Sequence, residues 1–205
     1  MDDEARRGIE ADVRARCTQS DFEGAATKAL RGYGPEIFGF LVALHKNEED
    51  AGDVFSIFSE NLWKGLPTFG WECSLRTWSY TIARNASYRY RKSARRKSEG
   101  RVPLSAAGDL AQKVRTETLT FLRTAEKDKF AALRESLPEE DQTLLILRID
   151  RGMAWDELAR VMLSEQAADA ETLKKESARL RKRFQLVKEK LLEMGKRAGL
   201  LRKDD

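Results

Sequence analysis

The sequence predicts an all-α protein made of two small helical domains joined by a flexible linker. Apolar residues recur at helical spacing, as Leu75, Trp78 and Ile82 do, and no stretch shows the strict alternation of a half-buried strand. A chain of 205 residues can hold two such domains. The predicted parts are an N-terminal tail (1–20), a first domain (21–97), a linker (98–127) and a second domain with a basic C-terminal tail (128–205).

The first domain is predicted to begin with two short helices, after a charged tail that we expect to be loosely held. Asp21 is a suitable N-cap for the first helix. Gly32 and Gly34 can end that helix, and Pro35 can occupy the first position of the next. The second helix, Pro35 to about Lys46, is apolar on most sides, so we expect it to be buried.

A third helix is predicted from Glu48 to about Lys64, with Asn47 as its N-cap. Acidic residues in its first turn suit the positive end of the helix dipole. Its wide apolar side is either a core stripe or a surface that is half buried and half offered to a partner. The two adjacent stripes are Phe55, Phe58 and Leu62, and Val54, Ile57 and Asn61.

The most informative stretch is a long helix predicted from Trp71 to Lys97, after a turn at Gly65–Gly70. One face is apolar, and the other mixes basic and tyrosine side chains. Basic groups neutralise phosphates and aromatic rings stack on bases, so this face favours single-stranded or opened nucleic acid. A core helix with a solvated basic face is the simpler alternative. The mixed face includes Arg76, Tyr80, Arg84, Tyr88, Arg89, Tyr90, Arg91 and Lys92.

The second domain is predicted to contain a helix-turn-helix pair. Ser136 and Glu139 have capping-box spacing, and Pro138 suits a first helical position. A short helix over 154–162 and a long helix over about 171–195 then form the pair. The last part of the chain is strongly basic, with twelve Lys or Arg against three Glu from 174 to 203, although the whole chain has a net charge of only +4.

The sequence contains no recognisable enzyme site, metal site or membrane span. Its single histidine, His45, lies in no ligand cluster, and Cys17 and Cys73 have no metal-ligand spacing. There is no phosphate-binding glycine loop and no nucleophile elbow. The apolar run Ile37–Leu44 is too short to cross a bilayer, and the N-terminus lacks a signal core. We therefore expect a cytoplasmic protein with free thiols, no cofactor, no metal, no membrane insertion and no catalytic activity of its own.

Six strings of residues are together similar to a known family. They are Asp50–Phe55, Leu62–Lys64, Leu75–Trp78 and Tyr80–Asn85 in the first domain, and Leu137–Asp141 and Trp155–Ala159 in the second. Their order, and the linker between them, resemble the bacterial RNA polymerase sigma factors of the extracytoplasmic-function (ECF) group, over about residues 21–195. The resemblance implies a region-2-like helical bundle followed by a region-4-like helix-turn-helix domain.

The resemblance also implies an alternative sigma factor that directs promoter recognition, −10 melting and transcription initiation. Its implied partners are core RNA polymerase (the β′ coiled coil and the β flap), promoter DNA and an anti-sigma factor. The implied contacts to the polymerase are Asp53, Val54, Ile57, Glu60, Asn61 and Trp63. Those to the opened −10 strand are Trp71, Arg76, Arg84, Asn85, Tyr88, Arg89 and Lys92, with an extruded base against the loop Pro67–Ser74. Those to the −35 duplex are Arg179, Arg181, Lys182, Arg183 and Lys188.

The sequence departs from the family pattern at three places. Ser56-Ile57 replaces a usual Gln-Glu pair, and Gly52 stands where an acidic residue is usual. Segment 163–178 is longer than the turn that the family needs. We interpret it as an N-terminal extension of the last helix, with an extra loop as the alternative.

Three other functions compete with this interpretation. A stand-alone helix-turn-helix DNA-binding transcription regulator would bind a palindromic duplex without polymerase. A nucleic-acid-processing enzyme would need a carboxylate cluster or metal set, which the sequence does not offer. A helical adaptor that binds only proteins would show weak salt dependence in any DNA binding.

Overall fold

The structure is a computed structural model of the chain, and it describes residues 2–94, 131–164 and 168–200. Within these ranges all regular structure is helical and there is no strand, which confirms the all-α prediction. The described residues form two compact units, one consisting mainly of 2–94 and the other of 131–163 and 168–200. The predicted linker 98–127 and its boundaries lie outside the described residues. No described helix is long and apolar enough to cross a membrane.

The first unit begins with a helix, α1 (Asp3–Thr18), so the prediction of a loosely held tail is wrong. Its N-cap is Asp2, whose Oδ1 accepts a hydrogen bond from the amide of Ala5 at 2.8 Å. Only Val13 of this charged helix is fully buried. The helix packs along the next helix, and the contact includes the ion pair between Asp12 and Lys28 at 2.9 Å.

The second helix, α2, runs without a break from Phe22 to His45, so the prediction of two short helices is wrong. Its predicted N-cap is confirmed, because Asp21 accepts a hydrogen bond from the amide of Gly24 at 2.9 Å. Gly32 does not end the helix. Instead it makes room for α1, since a Cβ there would lie 2.6 Å from Cδ1 of Ile9. Pro35 lies inside the helix on its exposed side, where the hydrogen bond it removes costs least.

Two further helices complete the first unit. They are α3 (Glu48–Gly65), followed by a short 3-10 turn at Leu66–Thr68, and α4 (Leu75–Ala94). The Asn47 cap of α3 is confirmed, with its side chain accepting from the amides of Glu49 at 2.8 Å and Asp50 at 3.1 Å. Edge-to-face ring pairs join the helices across the core, Phe38 with Phe55 and Phe40 with Tyr80, each at 5.3 Å between centroids.

Helix α4 begins at Leu75, four residues later than predicted. Trp71 has a left-handed backbone with φ of 57°, which a right-handed helix cannot contain. Ser74 supplies the local start signal, because its Oγ accepts a hydrogen bond from the amide of Thr77 at 3.0 Å. Residues 95–97 of the predicted helix lie outside the described residues.

The second unit contains α5 (Ala131–Glu135), α6 (Glu139–Leu145), α7 (Trp155–Leu163) and α8 (Ala170–Arg197). A π-helical turn over Ile146–Asp150 extends α6. The predicted pair of helices is present as α7 and α8, and α8 begins at Ala170. This early start confirms the interpretation of segment 163–178 as an extension of the last helix.

The predicted capping box at the start of α6 is wrong. The Ser136 hydroxyl donates backwards to the carbonyl of Leu133 at 2.8 Å, and Pro138 is the cap residue, without a side-chain bond. Instead, the side chain of Gln142 links α6 to the preceding turn by donating a hydrogen bond to the carbonyl of Leu137 at 2.8 Å. A small core of Leu137, Leu145 and Val187, with Phe184 and Leu191 packed against it, then holds α8 on α6.

Candidate polymerase and DNA interfaces

The outer face of α3 carries the residues predicted to contact the polymerase. Trp63 is 45% exposed, an unusual position for the largest apolar side chain. Asn61 is exposed, and Asp53, Ile57 and Glu60 are half-buried. Val54 is fully buried, so its predicted contact with a partner is wrong, because it belongs to the inward stripe with Phe55, Phe58 and Leu62.

The start of α3 is tied to the end of α4 through Tyr90. The Tyr90 hydroxyl donates to Asp50 at 2.8 Å and lies 3.3 Å from Asp53. Burial, followed by the hydrogen bond to Asp50, raises the pKa of Tyr90 above its ordinary value. The half-buried His45 ring meets Tyr90 edge-on at 5.8 Å and hydrogen-bonds Ser87 at 2.8 Å. Tyr90 is therefore a structural residue that helps to orient Asp53.

The outer face of α4 is basic and aromatic. Tyr88 is 63% exposed, Arg89 and Lys92 are exposed, and Arg84 and Asn85 are half-buried. Their spacing of four residues places them on one side of the helix over successive turns. Five of the predicted strand-binding residues thus share one surface, which we call the α4 surface: Arg84, Asn85, Tyr88, Arg89 and Lys92.

Arg76 does not lie on the α4 surface, and the prediction that it contacts the strand is wrong. It is only 5% exposed and forms an ion pair with Glu36 of α2, including a 3.0 Å bond from Nε. Tyr80, also buried, donates its hydroxyl to the same carboxylate oxygen at 2.9 Å. This buried network joins α2 to α4, and breaking one partner of such a pair is expected to destabilise the fold strongly.

The loop before α4 is built on stacked aromatic rings. Phe69 lies parallel to the buried Trp78, with 4.3 Å between centroids, and Trp71 packs on Phe69 at 4.7 Å. Trp71 is half-buried and its ring lies within cation–π distance of Arg14, at 5.4 Å. The left-handed backbone at Trp71 turns the chain here towards α4. This loop is where the sequence predicted an extruded base.

Helix α8 carries the residues predicted to read the duplex. Arg179, Arg181, Lys182 and Lys188 are exposed, although Arg179 pairs with Glu176 of its own helix at 2.6 Å. Arg183 is different: its guanidinium bonds Asp141 at 2.6 Å and Glu140 at 2.5 Å, which ties α8 to α6. Arg183 thus ties α8 to α6 through Nε and Nη1, and its predicted contact with DNA stays a prediction.

The start of α7 is locked to α8 around Trp155. The Ser177 hydroxyl donates to the carbonyl of Trp155 at 3.1 Å, and Phe184 meets the indole edge-on at 5.5 Å. Two guanidinium groups lie near the same indole, Arg148 at 4.7 Å and Arg181 at 5.7 Å. These contacts fix the angle between the two helices and hold two positive charges beside their junction.

The described residues contain no group of His, Cys, Asp or Glu that could hold a metal ion. Both cysteines are free and half-buried. Burial, together with the charge of Asp21, raises the pKa of the Cys17 thiol, which opposes formation of the reactive thiolate.

Residues 29–97 match the family model of sigma-70 region 2. The matched segment includes most of α2 and all of α3 and α4, so it contains both the face around Trp63 and the α4 surface. The match supports a sigma-70 family factor, with a general role as an RNA polymerase sigma factor in transcription initiation. Region 2 implies core RNA polymerase and promoter DNA as partners. Neither the curated proteins nor the solved structures gave a match.

Proposed function

We propose that this protein is an alternative sigma factor of the ECF group. It binds core RNA polymerase, recognises and melts the −10 element and reads the −35 element, and it catalyses nothing itself. The observation that carries the proposal is the α4 surface, an exposed basic and aromatic helix face inside the segment that matches sigma-70 region 2.

The docking step is assigned to the face of α3 around Trp63, on the β′ coiled coil. Trp63, which is 45% exposed, shares the outer face of α3 with half-buried Ile57 and Glu60 and exposed Asn61. An apolar anchor with a polar rim is the composition of an interaction hot spot. Ile57 and Ser56 make this face less polar than the family pattern implies. Asp53 joins it in an orientation set by Tyr90.

The opening step is assigned to the α4 surface and the loop before it. Extruding a base costs about a few kcal/mol. Stacking one base on an aromatic ring returns about 1–3 kcal/mol, and phosphate contacts to Arg89 and Lys92 supply the rest. Tyr88 is exposed enough to take a base on its ring. Base stacking on Tyr88 and phosphate contacts to Arg89 and Lys92 thus both offset the cost of extruding a base.

The duplex-reading step is assigned to the exposed cations of α8. Arg179, Arg181, Lys182 and Lys188 lie along the second helix of the pair, the position from which such motifs contact DNA. The β flap of the polymerase is the proposed second docking point of this unit. We also propose that an anti-sigma factor covers the α3 and α4 surfaces until a signal arrives, and that the protein acts in the cytoplasm without a cofactor.

A stand-alone helix-turn-helix regulator is the alternative function, favoured by the basic α8 alone. It leaves the exposed Trp63 and Tyr88 without a role, because a closed duplex that is read through its major groove offers no unstacked base.

Two aromatic substitutions in the first unit test the proposal. Trp63→Ala is expected to weaken co-elution with core polymerase at least about tenfold, because it removes the apolar anchor, with unchanged thermal unfolding. Tyr88→Ala is its matched control: an exposed aromatic residue whose loss leaves core binding intact and weakens binding to an unpaired −10 strand. Core binding of Trp63→Ala at the wild-type level would show that the docking assignment is wrong.

A further inference from the structure

We infer that helix α1 is part of the strand-binding site: Glu10 is a positioning residue for the loop Phe69–Ser74, and Arg14 is a further contact for the opened strand. The inference rests on the proposed function and deepens it. Both residues precede the segment 29–97, so the family match assigns them nothing.

Glu10 fixes the start of α4 with both of its carboxylate oxygens. Oε2 accepts the amide of Leu75 at 2.9 Å, and Oε1 accepts the amide of Arg76 at 3.2 Å. These amides are in the first turn of α4, where no carbonyl of the same helix is available to them. The Tyr33 hydroxyl donates to Oε1 at 3.1 Å and so holds the carboxylate in place from α2.

The other end of the loop is fixed by the aromatic stack. Phe69 is buried against Trp78, and the ring of Trp71, whose backbone is left-handed, packs on Phe69. A non-glycine residue in this conformation is held there by its surroundings. The loop is therefore clamped between the ring of Phe69 and the carboxylate of Glu10. Loss of the Glu10 carboxylate would therefore leave Trp71 free to move.

Arg14 lies one turn beyond Glu10 on the same side of α1. Its guanidinium is 5.4 Å from the centre of the Trp71 ring, and its side chain is exposed. A positive charge beside a half-buried indole suits a nucleotide, because the ring can meet the base while the charge meets its phosphate. This geometry gives α1 a role beyond support of the fold.

The hydrogen bonds of Glu10 also help to explain why the highly charged helix α1 has a defined position. Besides the burial of Val13 and the packing of Ile9 against Gly32, polar contacts help to define where α1 lies. The bonds of Glu10 to two backbone amides have a fixed direction, and they join residues 65 and 66 positions apart in the chain. These bonds attach α1 directly to the start of α4.

The test uses four substitutions on α1 in the full chain. Glu10→Gln keeps the size of the side chain but turns an N–H towards an amide donor, and Arg14→Gln removes the charge. Glu4→Gln and Arg7→Gln are matched controls with the same charge changes at exposed positions of the same helix. The probe is a promoter duplex whose −10 segment is mismatched and therefore already unpaired, taken from start sites mapped by run-off transcription.

Holoenzymes assembled with each variant are titrated with this probe, and core co-elution and thermal unfolding are measured alongside. We expect about tenfold weaker binding for Glu10→Gln and about threefold for Arg14→Gln, with core binding unchanged. The control variants should bind like the wild type. Arg14→Lys should recover part of the loss, because it keeps the charge without the planar group.

Three results would overturn the inference. Glu10→Gln and Arg14→Gln could bind the probe as tightly as their controls, which would exclude α1 from the site. Glu10→Gln could lose core binding and thermal stability in step with DNA binding, which would reduce its role to folding. A wild-type protein that forms no holoenzyme would instead contradict the proposed function itself, and the inference would fall with it.

Discussion

Gly65 shows how one residue sets the distance between two functional helices. A Cβ at this position would lie 2.8 Å from Cζ2 of Trp78. Trp78 is only 2% exposed and is stacked on Phe69, so its ring has no room to move away. The end of α3 can therefore approach α4 closely only because Gly65 has no side chain.

Substitution of this glycine is the first prediction. Gly65→Ala should lower the free energy of unfolding by about 1–3 kcal/mol, since overpacking outweighs the better helix propensity of alanine. Gly8→Ala in α1 is the control, because a Cβ there meets nothing within 4 Å. It should stabilise the chain by up to about 1 kcal/mol. Urea unfolding measures both free energies, and a higher free energy of unfolding for both variants than for the wild type would contradict the packing argument.

Lys182 and Arg183 are neighbours with different roles, which leads to the second prediction. Lys182→Gln should leave stability within about 0.5 kcal/mol of the wild type and reduce the salt dependence of duplex binding by about one phosphate contact. Arg183→Gln should instead destabilise the protein by about 1–3 kcal/mol, because Asp141 is left buried without its cation. If Lys182→Gln and Arg183→Gln changed the free energy of unfolding equally, the assignment of different roles to the two residues would be wrong.

Arg76 illustrates the limit of residue-scale prediction. On the sequence it looks like one more cation on a basic helix, but it is buried against Glu36, which lies 40 positions earlier. Nothing local distinguishes it from Arg84 or Arg89. Glu10 and Arg14 were missed for the same reason, because their partners lie far away in the chain.

At the scale of elements, the starts of α2 and α3 were predictable from the sequence. Asp21 and Asn47 cap their helices through contacts that span two or three residues, and such local bonds can be read from sequence. The unbroken course of α2 could not be predicted from the sequence. Gly32 does not end its own helix but allows Ile9 of α1 to approach closely. Helix α1 was missed because charged residues dominate its sequence and only Val13 is fully buried.

The cap of α8 gives the third prediction. Asp169 accepts hydrogen bonds from the amide and hydroxyl of Thr172, at 2.8 and 2.7 Å, and from the amide of Glu171 at 2.9 Å. These bonds, the Thr172 amide first, lower the pKa of the Asp169 carboxyl below its ordinary 3.8. A carboxyl with a lowered pKa stabilises the fold above its ordinary pKa, and this contribution is lost as the pH falls through the folded-state value.

Asp169→Ala should therefore lower the melting temperature at pH 7, and its deficit should shrink as the pH falls below about 4. Thermal unfolding of both proteins between pH 7 and pH 2 measures this. Asp156→Ala, in the exposed first turn of α7, is the comparison, and its effect should be smaller at neutral pH. A deficit for Asp169→Ala that stays constant to pH 2 would contradict the assignment of the cap.

At the scale of the whole molecule, the charge distribution matters more than the net charge of +4. Each compact unit carries one exposed basic helix face, on α4 in the first and on α8 in the second. The all-α class and the order of these faces were predictable, because helical periodicity is a local property of sequence. The linker between the units stays a prediction, as do its boundaries.

Run-off transcription measures whether the protein directs core RNA polymerase to promoters. The purified protein is mixed with core RNA polymerase and a pool of candidate promoter DNA, with core polymerase alone as the control. We expect discrete transcripts that require the protein, are lost with Trp63→Ala and share −10 and −35 elements upstream of their start sites. Absence of such transcripts, together with absence of co-elution with core polymerase, would contradict the account and favour a stand-alone DNA-binding regulator.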